Sequence, residues 1–357
     1  MNKSSIRKTG MNRHHRLTLL VTALLALLLA GCTAASPTPI VSTPDQPATQ
    51  SIAPTNTPEP SPTPQAGKAV LYSPAGSDVQ AVQSLLTDQI APSGLTLETV
   101  TEPPAGLGQE VKLVVMLTPP ANLADLLSAA PQAQFVVVSG ADLPTAANLS
   151  VIRQRPEYQA FLGGFVSTLL STDWRAAALV PTDGPLGASL QDAFVNGGRY
   201  FCGACAPGWP LGVYFPQVSA LPAASDGPSW QAAATTQFDT NKVEVFYLSA
   251  EAARPEVVSY LQGKVQVANP VLVVGTQPPL PELREQWAAT VGFDVLAPMQ
   301  QLLPEVLSGK GGTVVDAQLE VQNVNEAHLG AGKIRLVDEL IKEIEAGRIY
   351  PYSVPLE

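Results

Sequence analysis

Between residues 68 and 352 the chain alternates short, mostly apolar runs with stretches of helical spacing, and this alternation restricts the fold more than any other feature. The runs Lys68–Ser73 (KAVLYS), Val111–Leu117, Gln134–Ser139, Arg175–Pro181, Lys242–Ser249 and Pro270–Gly275 have few polar positions. A strand that is apolar on both faces must be covered on both, which is the condition of a parallel sheet with helices above and below it. Leu95–Val100, Leu211–Phe215 and Thr290–Asp294 read as shorter strands. Helical spacing is expected at 79–90, 121–130, 156–170, 186–196, 230–238, 251–262, 298–308 and 332–347. Pro156 stands at the first-turn position a helix tolerates, and Gly347 at a helix end. Repeated βα units give an α/β fold. A body of about 290 residues is near the size at which single cores stop growing, so two α/β lobes with parallel sheets are expected.

The N-terminus reads as an export signal. Residues 1–16 carry Lys3, Arg7, Lys8, Arg13 and Arg16 and no acid, and residues 17–30 (LTLLVTALLALLLA) are apolar. Fourteen helical residues cover about 21 Å, short of the ~30 Å hydrocarbon core, so the segment fits a cleaved signal. It ends at Leu29-Ala30-Gly31-Cys32, which resembles the lipobox of bacterial lipoproteins. That resemblance implies diacylglyceryl modification of Cys32 and cleavage before it. More than one acyl chain is what gives stable anchoring. Removing the segment takes five of the 20 basic residues and none of the 30 acids, so net charge moves from −10 to −15. Residues 33–67 hold nine of the 34 prolines among Ser and Thr, with no aromatic residue. Such a stretch cannot bury enough apolar surface to fold. As polyproline II at 3.1 Å per residue it could extend roughly 100 Å from the membrane.

Charge and motif content exclude several functions. Charged residues are 14% of the chain, against about 25% in ordinary soluble proteins, and the balance is acidic. Nucleic acid calls for clustered Lys and Arg. Apolar residues form one long run only, at the N-terminus, so a multi-span membrane protein is excluded. His14 and His15 leave with the signal, and His328 is the one imidazole left for the body. No Gly-x-Ser-x-Gly elbow, HExxH or phosphate loop occurs. No enzyme activity, metal or cofactor is therefore expected. Cys202-Gly203-Ala204-Cys205 could be a dithiol redox motif or half a zinc site. Outside the cytoplasm a structural disulfide is the expectation.

In open α/β sheets ligands sit beyond the carboxyl ends of strands. The candidate ligand-binding residues are accordingly Tyr72, Ser73, Ser77 and Asp78 after the first strand, and Ser139 and Asp142 after the fourth. Asp183, Ser249 and Gln277 follow strands of the second lobe. Trp230 could stack on a flat ring or a sugar face. Each has a structural alternative: Ser77 and Asp78 are good helix caps, Asp142 and Asp183 suit turns, and Trp230 could be core.

Glu157-Tyr158-Gln159-Ala160-Phe161-Leu162-Gly163-Gly164 resembles the helix that opens the second lobe in the basic membrane protein family of ABC-transporter substrate-binding lipoproteins. Residues 303–350, LPEVLSGKGG through KEIEAGRIY, resemble that family's C-terminal ending. The loop Ser73-Pro74-Ala75-Gly76-Ser77-Asp78 departs from it, lacking the family's aromatic. The resemblance implies a type I periplasmic-binding-protein fold: two Rossmann-like lobes joined by a multi-strand hinge. It implies a lobe of residues 68–150 plus about 277–310, and another of about 151–276 plus 311–357. Its functional implication is a monomeric, lipid-anchored extracytoplasmic protein delivering a nucleoside-like or sugar-like solute to an ABC permease. A ligand-sensing lipoprotein serving a receptor or kinase, or a surface hydrolase, are the alternatives.

Overall fold

The computed structural model describes residues 67–352, apart from 75–78, 145, 185, 210–211 and 266–269. The signal, Cys32, the Pro-rich segment and the candidates Ser77 and Asp78 lie outside the described residues.

The first sheet combines β1 (Lys68–Tyr72), β2 (Thr96–Val100), β3 (Val111–Met116), β4 (Gln134–Ser139), β5 (Leu149–Arg153) and, from far along the chain, β11 (Val314–Asp316). Their order is β2-β1-β3-β4-β5-β11, and every pairing is parallel. Alternate side chains of the central strands serve opposite cores, as the period of two demands. Leu71, Val115, Val136 and Ile152 pack under α1 (Gln80–Ile90) and α7 (Leu296–Leu307). Val70, Val114, Phe135 and Val151 pack on the other face, with α2 (Leu123–Ala129).

The second sheet has the order β7-β6-β8-β9-β10-β12. Its members are β6 (Ala176–Pro181), β7 (Gln217–Leu221), β8 (Val245–Leu248), β9 (Leu272–Gly275), β10 (Trp287–Asp294) and β12 (Gln318–Gln322). All pairs are parallel except β10 with β12. One face is covered by α3 (Pro156–Leu170), α4 (Ala188–Cys202) and α8 (Ala331–Glu345). The other carries α5 (Gly227–Thr235) and α6 (Pro255–Gln262).

Helices α3 and α4 meet through glycines. A Cβ on Gly164 would stand 2.0 Å from the Phe194 carbonyl oxygen, and one on Gly197 would stand 1.8 Å from that of Phe161. Both obstacles are backbone, so no rotamer could make room. This close crossing explains why α4 extends to Cys202, whereas the sequence pattern ended it at Asn196. Cys202 closes the helix and is disulfide-bonded to Cys205, with Cα atoms 5.2 Å apart. Gly203 (φ 69°) and Cys205 (φ 46°) turn the chain in between.

Strand membership differs from the expected lobe boundaries. β10, within 277–310, belongs to the second sheet, whereas α7 of that stretch packs on the first; β11, within 311–357, belongs to the first. Strand β5 had no counterpart in the pattern reading. The expected strand at 211–215 is replaced by β7 at Gln217–Leu221. Phe215, fully buried, belongs instead to the core of the second lobe.

Candidate functional site: the cleft between the lobes

The chain crosses between the sheets three times: at Gln154-Arg155 from β5 to α3, at Val295 from β10 to α7, and at Ala317 from β11 to β12. A bidentate ion pair braces two of these crossings. Arg153 donates from Nε and Nη2 to Asp316 at 2.5 and 3.0 Å, and Arg155 Nε lies 3.6 Å from the same carboxylate. The Arg153 hydrogen bond holds the Asp316 carboxyl below its ordinary range. Because β5 pairs with β11 and β10 with β12, the three crossings run side by side between the sheets.

Beside these crossings lies a cavity of about 1120 Å³ with walls from both lobes. The first lobe contributes Ala81 and Val82 from α1, Leu117 after β3, and Ala297 and Gln300 from α7. Gln154, Asp294 and Val295 come from the crossings. Ala250, Thr276, Gln277, Glu320 and Gln322 form the facing wall. A smaller hollow of about 210 Å³ lies at the carboxyl ends of β6 and β8, lined by Pro181, Gly187, Ser249 and Glu251 among others. Both cavities are bordered by Gln159, Ala250 and Thr276, so the hollow runs on from the cleft.

Several polar groups here are already positioned. Gln159 Nε2 donates to the Val291 carbonyl at 2.8 Å. Thr290 Oγ1 donates to the Gln277 carbonyl at 3.0 Å and accepts from Trp287 Nε1 at 3.0 Å. Asp294 Oδ1 accepts from the amides of Leu296 and Ala297, at 2.8 and 3.2 Å, and so caps α7. Glu320 accepts from Gln322 Nε2. Burial and the neighbouring Asp294 carboxylate raise the pKa of Glu320.

Of the strand-end candidates, Ser249 and Gln277 border the cleft system. Ser73 is buried at the end of β1, and its Oγ has no hydrogen-bond partner among the described residues. Ser139 spends its hydroxyl on its own loop, donating to the Ala141 carbonyl at 2.8 Å and accepting from the Ala141 amide at 3.0 Å. Tyr72 is packed in the core beneath the first sheet. Asp142 borders neither cavity; its charge acts on Arg153. Asp183 Oδ1 accepts from the Ala223 amide at 2.7 Å and ties two loops together. Trp230 corrects the expectation of a stacking platform. It is 0% exposed, within the cluster of Ala177, Phe246 and Val257, and has no free face.

Gln154, Gln159, Asp294, Gln300 and Glu320 were not found from sequence. They sit at the crossings or on the elements that follow them, and β5 and β12 gave no strand signal from which to place a hinge. Among the described residues no group of acidic, His and Cys side chains has the geometry of a metal site. His328 lies outside both cavities, and one ring nitrogen is 3.0 Å from the Glu285 carbonyl oxygen.

No protein-family model matches the chain, and no curated protein matches it. Solved structures do. An ABC transporter system solute-binding protein from Aeropyrum pernix K1 superposes with a TM-score of 0.58 at 15% identity, over 82% of this chain and 94% of that one. Another, from Conexibacter woesei DSM 14684, gives 0.56 at 14% identity, over 80% and 98%. A transcriptional activator of the comK gene from Bacillus halodurans gives 0.51 at 12% identity, over 80% and 100%. At these identities the likeness is one of fold: two parallel-dominated sheets with interleaved helices, shared by solute-binding proteins and a regulator.

Proposed function

We propose that the protein is a lipid-anchored extracytoplasmic solute-binding protein, with Cys32 as the attachment point and an ABC permease as the recipient of its cargo. The observation that carries this reading is the cleft. A polar cavity bounded by both lobes lies beside a triple crossing, the arrangement in which hinge bending encloses a small molecule. At about 1120 Å³ it is slightly larger than the roughly 300–1,000 Å³ usual for small-ligand sites, as an open cleft should be before closure. Hinge closure would bring Gln300 on α7 toward Gln277 and Glu320 on the opposite wall.

The solute on this reading is small and polar. A nucleoside or sugar, the classes suggested by the sequence, would ordinarily stack on an aromatic face, and the expected platform, Trp230, is in the core. The test is a thermal-shift panel of nucleosides, sugars, amines and carboxylates. A solute at 100 times its Kd raises stability by about 2.7 kcal/mol if it binds only the folded state. No shift with any class contradicts the binding reading. Anchoring is tested separately: Cys32→Ser is expected to move the protein from the membrane fraction to the soluble one.

A further inference from the structure

We infer that the cleft takes a cationic, non-aromatic organic solute, a primary amine or a polyamine, with Asp294 and Glu320 receiving its ammonium group. The inference rests on the proposed binding function and narrows it.

Three properties of the walls point this way. First, no Lys or Arg borders either cavity among the described residues, whereas Asp294, Glu320 and Glu251 do. The nearest guanidinium groups at the hinge, Arg153 and Arg155, are engaged with Asp316. Second, the helix N-terminus that would otherwise attract an anion is already occupied. Asp294 takes the first amides of α7, which satisfies those donors and cancels the favourable end of the helix dipole. A carboxylate or phosphate would therefore meet the Asp294 carboxylate at the α7 N-terminus instead of free backbone amides. Third, the remaining polar groups are amides and hydroxyls, including Gln154, Gln277, Gln300 and Thr276. Their carbonyl and hydroxyl oxygens can accept from an ammonium. Among the described residues the aromatic side chains on the cleft system are Phe293, half-buried, and Tyr247 in the smaller hollow, 2% exposed, so a flat ring has little to stack on.

Asp294 and Glu320 lie on the antiparallel β10–β12 pair, where Gly292 faces Glu320 and Asp294 faces Gln318, and the Asp294 charge reaches the Glu320 carboxyl. The raised pKa of Glu320 reflects burial first and that like charge second. An ammonium between the two carboxylates would relieve it through charge-assisted hydrogen bonds, the stronger class.

The experiment is calorimetric titration of the full chain with 1,4-diaminobutane and spermidine, beside the uncharged 1,4-butanediol, the dianion succinate, and adenosine and glucose. It is run in about 0.15 M salt, which screens diffuse attraction to the acidic surface. The inference predicts saturable 1:1 binding of an amine, no binding of the diol or succinate, and an affinity lowered about tenfold or more in Glu320→Gln by loss of a charged hydrogen bond. Asp294→Asn, which keeps an α7 cap, should weaken the amine similarly without loss of folding. Amine binding unchanged in both variants overturns the assignment. So does the absence of amine binding. If adenosine, glucose or succinate then binds, the binding function survives and only the solute class falls; if none of the six binds, both fall.

Discussion

Replacing Gly197 by alanine tests the packing logic of the second lobe. The new methyl would stand 1.8 Å from the Phe161 carbonyl oxygen and 2.7 Å from its carbon. Ordinary contact begins near 3.4 Å, so α3 and α4 would have to part locally by about 1.5 Å. Overpacking a well-filled interface costs about 1–3 kcal/mol, and a backbone obstacle places this site at the upper end. Alanine is a better helix former than glycine and returns about 1 kcal/mol. The net loss is about 2 kcal/mol, or roughly 4–8 °C in Tm for a lobe of this size. Gly332→Ala provides the contrast, since nothing lies within 4 Å of a Cβ at that helical position. It should leave Tm unchanged or raise it slightly. The assay is thermal unfolding by calorimetry, with circular dichroism to follow the helices. Equal Tm values for the two variants would refute the claim that the α3–α4 glycines are there for close approach.

Glu244 is largely buried, receives the Arg175 guanidinium and accepts from the Thr172 amide at 2.9 Å; Glu244→Ala should cost about 3 kcal/mol by leaving a shielded cation short of its partner, read from denaturant midpoints. Asp316 is held below its ordinary pKa by Arg153 and Arg155. Its contribution is thus present above the unfolded carboxylate pKa near 4 and is lost as pH falls through the lower folded value. The stability gap between the native chain and Asp316→Asn should be under about 1 kcal/mol at pH 7, because half the carboxylate is exposed, and should vanish toward pH 2. Thiol titration in denaturant should find no reactive thiol from Cys202 or Cys205 until reductant is added, then two; free thiols beforehand would contradict the disulfide.

Most of the interior of the fold was legible because buried parallel strands are written as apolar runs, β5 (LSVIR) being the interior strand that was missed. β1, β3, β4, β6, β8 and β9 all match, and all six lie inside their sheets rather than at an edge. Of the edge strands only β2, expected at Leu95–Val100, was legible. β7 has every residue half-buried, and β11 (VVD) and β12 (QLEVQ) are short and partly exposed, so neither periodicity nor apolar density marks them. Phe215 misled for a related reason: it is fully buried but belongs to a loop. The same blind spot hid the cleft. Strand-end reasoning reached Ser249 and Gln277, but the crossings depend on β5, β11 and β12. The residues flanking them, Gln154, Asp294 and Glu320, carry no local signal. Trp230 shows the converse limit, since a tryptophan at a helix start reads the same whether it faces solvent or core.

The central claim is that the two lobes close on a small solute. Small-angle scattering of the full chain, with and without saturating spermidine, adenosine or glucose, tests it most directly. The account predicts a smaller radius of gyration with a solute that binds, and with spermidine in particular. A bound solute that leaves the scattering curve unchanged would contradict hinge closure. Unchanged curves with all three, together with no heat of binding, would contradict the account of the cleft as a solute site.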